Sequence, residues 1–196
     1  MGCITDKISA DILVDCDNLS ISGLEADVIL IPRSDFDRSA STINAGNDIL
    51  LDNLACKSGA TGFKLEGVKQ LHSTNSEFVP SEETVDKFRH TFRGVILTPS
   101  AENRLQASLL AKGESYIVVV NRKWKGANDE DAFLVFGYDA GLYLTEMTEA
   151  SNENDGNILF ALASKDISLE TEMPRNLLMT NYATTLTAFD NKFATP

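Results

Sequence analysis

Short apolar runs, each cut off by turn residues, constrain this chain more than any other feature. Val28-Ile29-Leu30-Ile31 stops at Pro32, Tyr116–Val120 is apolar and β-branched, and Ile158–Ala163 follows the turn-forming Asn152-Glu153-Asn154-Asp155-Gly156. Runs of this length, rich in β-branched and aromatic residues and bounded by Gly, Pro, Asn and Asp, read as strands. Further strands are predicted at Ser9–Val14, at Ile49-Leu50-Leu51 after the turn 44–48, and at Phe63–Glu66. Others follow at Phe88–Leu97, Ala132–Phe136, Leu142–Thr145 and, more weakly, Leu177–Met179.

One helix stands out. Thr98 reads as its N-cap, Pro99 takes the first helical position, and Glu102 lies in the first turn. Ala101, Leu105 and Leu109 fall on one face, which should pack on the sheet, and Gly113 ends the helix. Residues 72–87 are polar, contain Pro80 and read as a long loop. Residues 180–196 read as a loosely held tail. The expectation is a mainly β (α+β) chain: an antiparallel β-sandwich or barrel with one flanking α-helix over about 99–112. No linker or internal repeat divides residues 1–196, so a single domain is expected.

Composition removes several classes. At 43% hydrophobic the chain is not of a disordered type, and no run approaches the ~20 apolar residues of a membrane span. The opening Met1-Gly2-Cys3-Ile4-Thr5-Asp6 lacks a basic n-region and an apolar h-region, and Asp6 stands where myristoylation needs Ser or Thr. Retention in the cytoplasm where the chain is made is therefore expected. Cys3, Cys16 and Cys56 are far apart and odd in number, as in a chain with neither disulfide framework nor zinc site.

The net charge of −12 is unevenly spread. Residues 1–56 hold ten acids and three bases, 57–125 seven acids and eleven bases, and 126–164 eight acids and no Lys or Arg. Such a chain is a poor nucleic-acid binder, because that affinity comes from neutralising phosphates. Segregated charge suits subunits that meet by complementary faces; it also serves solubility alone.

Patterns that carry chemistry are incomplete. The two histidines, His72 and His90, sit on the polar segment and on an alternating strand, and both read as packing or surface residues before they read as bases. Ser151–Leu162 places oxygen ligands at positions 1, 3 and 5 and Gly at 6, as a calcium loop does. Leu162, however, stands where the bidentate acid belongs, so a hairpin turn is the better reading. Carboxylate pairs (Asp15/Asp17, Asp35/Asp37, Asp129/Glu130/Asp131) are too common to single out an acid–base site. The basic patch Arg122-Lys123-Trp124-Lys125 is followed by Asp129-Glu130-Asp131, which favours a hairpin tip or subunit contact over a nucleic-acid platform. No enzyme activity, cofactor or metal is expected.

Two segments carry a resemblance. Phe133–Leu142 with its Gly137-Tyr138-Asp139-Ala140-Gly141 core, Met147-Thr148 and Ser151–Gly156 are similar to tail tube (major tail) proteins of phages and prophages of Bacteroides-like bacteria. So are Asp15-Cys16, Ser22-Gly23-Leu24-Glu25, Ile31-Pro32 and Asp35-Phe36-Asp37, while residues 72–93 align with nothing in that pattern. The resemblance implies a structural virion protein that self-assembles into hexameric rings stacked as a hollow tube. DNA would pass through an acidic lumen without specific binding, and other tail or connector proteins would be partners. The host bacterial cytoplasm and then the virion tail would be its places. It nominates Asp129, Glu130, Asp131, Glu146, Glu149, Glu153 and Asp155 as lumen-facing acids, and Glu77, Phe78, Glu82 and Glu83 as an inter-subunit loop. The alternatives are a head–tail connector or tail terminator ring protein, and a monomeric β-sandwich carbohydrate-binding module with Trp124, Tyr138 and Tyr143 on its ligand surface.

Overall fold

A computed structural model describes residues 8, 10–82 and 84–195. Its strands in chain order are β1 (Leu24–Pro32), β2 (Thr42–Asn44), β3 (Asn47–Asn53), β4 (Phe63–Leu65), β5 (Ser73–Val79) and β6 (Lys87–Ile96). Helix α1 (Ala101–Leu110) leads to β7 (Tyr116–Arg122), β8 (Phe133–Phe136), β9 (Tyr143–Glu149), β10 (Ile158–Ala163) and β11 (Arg175–Leu177), and α2 (Tyr182–Asp190) follows. The protein is mainly β, with two sheets packed as a sandwich and no closed barrel.

The larger sheet runs β2-β3-β11-β8-β7-β1-β4 and the smaller β5-β6-β10-β9. All pairs are antiparallel except β11 with β3, which is parallel. The smaller sheet covers one face of the larger: Leu30, Val118 and Phe136 meet Phe92, Phe160 and Leu162 in one core. On the opposite face Ile29, Val119 and Phe133 pack with Phe36, Phe189 and Phe193 in a second core. β1 and β7 are thus buried from both sides, which is why they read as unbroken apolar runs rather than alternating ones.

Four expectations are corrected. Residues 72–87 do not form one long loop, because β5 pairs with β6 from Ser73↔Arg93 to Val79↔Lys87. An edge strand needs one partner and one modest face, so Ser, Thr and Asn suffice when β6 supplies the ladder. The segment 180–196 is not a loose tail: Asn181 caps α2 through Oδ1, which accepts from Thr184 N at 2.9 Å, and Thr185, Phe189 and Phe193 are buried. Three threonines disguise this helix by propensity alone. Residues 10–14 form no strand and are exposed.

The fourth correction concerns α1. Ser100, not Thr98, is its N-cap, with Oγ accepting from Asn103 N at 3.2 Å. Its buried residue is Ala107, with Leu110 also packed on the core, while Leu105 and Leu109 face outward. The apolar stripe seen in the sequence is the uncovered one.

Candidate functional site

The densest arrangement of polar chemistry surrounds the turn that leaves β8. Gly137 adopts φ +73 and Gly141 φ +81, so the chain reverses over five residues with Gly141 N donating to Gly137 O at 3.0 Å. Glu170, fully buried, fastens the turn: its Oε2 accepts from Asp139 N at 2.7 Å and its Oε1 from Ala140 N at 2.8 Å. From the other side Arg33 donates to Tyr138 O at 2.8 Å and Arg38 to the same oxygen at 3.1 Å. The guanidinium carbons of Arg38 and Arg175 lie 4.4 and 5.2 Å from the centre of the Tyr138 ring.

Asp139 collects the cations. Its carboxylate accepts from Thr171 Oγ1 at 2.8 Å, Arg175 Nη2 at 2.9 Å and Arg38 Nη2 at 3.1 Å. Burial pushes this carboxyl up, and these three bonds outweigh it and hold the group below its ordinary value. Burial raises the Glu170 carboxyl, and its two backbone bonds offset only part of that. His90, beneath the turn, accepts from Gly137 N at Nδ1 (3.3 Å), so Nε2 carries the proton and faces Glu172 O at 3.1 Å. Burial pushes its imidazole down to about 4. His90 Nδ1 and both Glu170 oxygens thus hold the turn's backbone, while His90 Nε2 is taken by Glu172 O and both Asp139 oxygens by Arg38, Thr171 and Arg175. The arrangement is a clamp on the Gly137–Gly141 segment, with His90, Glu170 and Arg175 buried.

The other residues nominated by sequence scatter. Asp129, Glu130 and Asp131 lie on the β7–β8 connection of the larger sheet, where Asp131 accepts from Asn176. Glu146 and Glu149 lie on β9 and Glu153 and Asp155 on the β9–β10 turn of the smaller sheet. Among the described residues no hydrogen bond or ion pair joins the two groups. Glu149 pairs with Arg104 of α1, whereas Glu146 sits on the outer face opposite Ala161, whose other neighbour is Arg93. Glu77 stands opposite Arg89 on that same face. Glu77 and Phe78 belong to β5 rather than to a loop, Glu82 is on the β5–β6 connection, and Glu83, like Cys3, lies outside the described residues.

The calcium-like run is an exposed hairpin turn, with Asn154, Asp155 and Gly156 at positive φ. Trp124 is half-buried and donates from Nε1 to Asn18 O at 3.1 Å, under Arg122. Tyr138 is 2% exposed, so the surface of Trp124, Tyr138 and Tyr143 imagined for a ligand does not form. His72 is buried, with no partner for Nε2 among the described residues, and Cys56 is buried with its thiol pushed up to about 11. Among the described residues no three His, Cys, Asp or Glu side chains converge as metal ligands, and no helix is long and apolar enough to cross a membrane.

Nothing in the sequence singles out Arg33, Arg38, Glu170 or Arg175. A lone charged residue beside a strand end has no spacing signal, and only the fold gathers four of them on one turn. Comparisons with protein-family models, curated proteins and solved structures give no match to this chain.

Proposed function

We propose that this chain is a structural subunit that self-assembles into stacked rings, a tail tube of the phage type, and turns over no substrate. The carrying observation is the smaller sheet. Its inner face is core, its outer face carries charged side chains, and among the described residues no strand pairs with either of its edges, β5 and β9. A sheet with two free edges is a template for edge-to-edge pairing between copies, which would continue it around a ring. Opposite charges stand side by side on the outer face (Glu77 with Arg89, Glu146 beside Arg93 across Ala161), so such a ring would present a mixed surface there. Glu149, Glu153 and Asp155 would supply acid at one rim. The clamp on the Gly137–Gly141 turn fits this role, since it fixes the junction between the sheets on which subunit geometry depends. A connector or terminator ring would use the same edges. The buried Tyr138 counts against a sugar-binding surface.

Negative-stain microscopy of the purified chain tests the reading. Rings of uniform diameter or tubes are expected; a monodisperse monomer at every concentration would sink it.

A further inference from the structure

Among the described residues two apolar surfaces lack a partner, and they suit each other. The first is the segment before β1. Ile12 and Val14 are 89% and 75% exposed, and Ile8, Leu13, Leu19 and Ile21 are also uncovered. Its root is fixed: Asn18 Nδ2 donates to Asp15 Oδ2 at 2.9 Å, Asp17 N to Asp15 Oδ1 at 3.0 Å, and Trp124 holds Asn18 O. The arm therefore leaves the body from a defined point with its apolar side chains free.

The second surface is an open groove of about 840 Å³ between α1 and β4. Leu30, Ile96 and Phe160 line it, with Phe63, Val68 and Leu109 at 55%, 53% and 41% exposure. It exists because α1 turns Ala107 inward and leaves Leu109 uncovered. β4 is the last strand of its sheet, so its outer backbone groups are unpaired by any strand.

We propose that the arm of one copy, residues 10–14, lies extended along β4 in the α1–β4 groove of a second copy. Ala10, Ile12 and Val14 alternate along the chain, so an extended arm points all three to one side, into the groove. The free edge of β4 accepts its backbone, and Asp11, Leu13 and Asp15 point to the other side, toward solvent. Among the described residues none of the arm lines the groove of its own chain. Each copy thus carries one donor and one acceptor at different places, a head-to-tail joint that closes into rings or continues as a filament. This rests on the self-assembly reading and assigns it a joint.

The test uses full-length chains in sedimentation. Ile12→Asp with Val14→Asp disables the arm without touching the core, and Leu109→Lys disables the groove at an exposed helix position. Wild type should associate, and each variant alone should associate about tenfold or more weakly, since each loses the burial of large apolar side chains. Mixed one to one, the two variants should associate more strongly than either does alone, because one intact arm then meets one intact groove in each mixed pair. Wild type assembling while the arm variant assembles equally well would overturn the joint and leave assembly standing. A mixture that associates no better than the two variants alone would also overturn the joint. A monomeric wild type would overturn both readings.

Discussion

Arg175 donates from Nη2 to Oδ2 of Asp139 across 2.9 Å, tying β11 to the turn that follows β8. The Arg175 side chain is only 5% exposed, so its charge depends on that carboxylate. Breaking a buried pair from one side leaves the other ion uncompensated. Asp139→Ala is expected to cost about 3–5 kcal/mol, read as a lower urea midpoint at unchanged slope. Adding Arg175→Met should return part of that loss. A double variant no better than Asp139→Ala would mean the pair is not what holds the turn.

His90 gives the fold an acid-sensitive element. Its folded value of about 4 lies below the ordinary 6.5, so the unfolded chain takes up the proton first as pH falls. The stability it contributes is complete above about pH 6.5 and is lost progressively toward pH 4, about 3 kcal/mol in all. Glu170 works the other way: with its folded value raised, its ionisation costs stability, and folding gains as pH falls through that raised value toward the ordinary 4.5. Denaturation midpoints of His90→Gln should fall less between pH 6.5 and 4 than those of wild type. Parallel curves would remove His90 from the account.

How far the sequence reveals this fold depends on what each element is buried by. β1, β7 and β10 are legible because at least one face meets core along their whole length, and burial writes apolar runs. β5 is not, since an edge strand can be Ser-Thr-Asn-Ser and still hold its ladder through β6. α2 hides its helical period behind Thr184, Thr185 and Thr187, and its stability comes from Phe189 and from the Phe193 that follows it, docking under β8. In α1 the stripe Ala101-Leu105-Leu109 signals a helix correctly and its buried side wrongly, because an apolar face records attraction without naming what covers it. The clamp is half legible: Gly137–Gly141 marks a turn, while Arg33, Arg38, Glu170 and Arg175 reach it across 30 to over 100 residues of sequence.

Gly137 and Gly59 separate backbone strain from crowding. Both have positive φ, +73 and +78, but a Cβ on Gly137 would sit 2.9 Å from Leu142 Cγ and 3.0 Å from Tyr116 O, whereas one on Gly59 meets nothing within 4 Å. Gly59→Ala should cost about 1–2 kcal/mol from left-handed backbone alone. Gly137→Ala pays that and must also displace Leu142 or the β7 backbone, so its melting temperature should fall distinctly further. Equal losses would show that the turn yields freely and is no clamp.

The free edge of β9 can be blocked without breaking the strand. Thr148 and Glu149 are adjacent and exposed, and along a strand successive N–H groups point to opposite edges. Proline at one of them deletes a bond to β10; at the other it deletes only a donor that faces outward, the place where sheets tolerate it. Thr148→Pro and Glu149→Pro should therefore split: one lowers the melting temperature, and its neighbour leaves it nearly unchanged. Glu149 also pairs with Arg104 at the surface, an interaction worth at most about 1 kcal/mol, so the split should stay visible. If copies join through β9, the variant that keeps its stability should fail to form rings or tubes under the microscope. Should it assemble as wild type does, the β9 edge is not a joint, and continuation of the smaller sheet between copies must be given up.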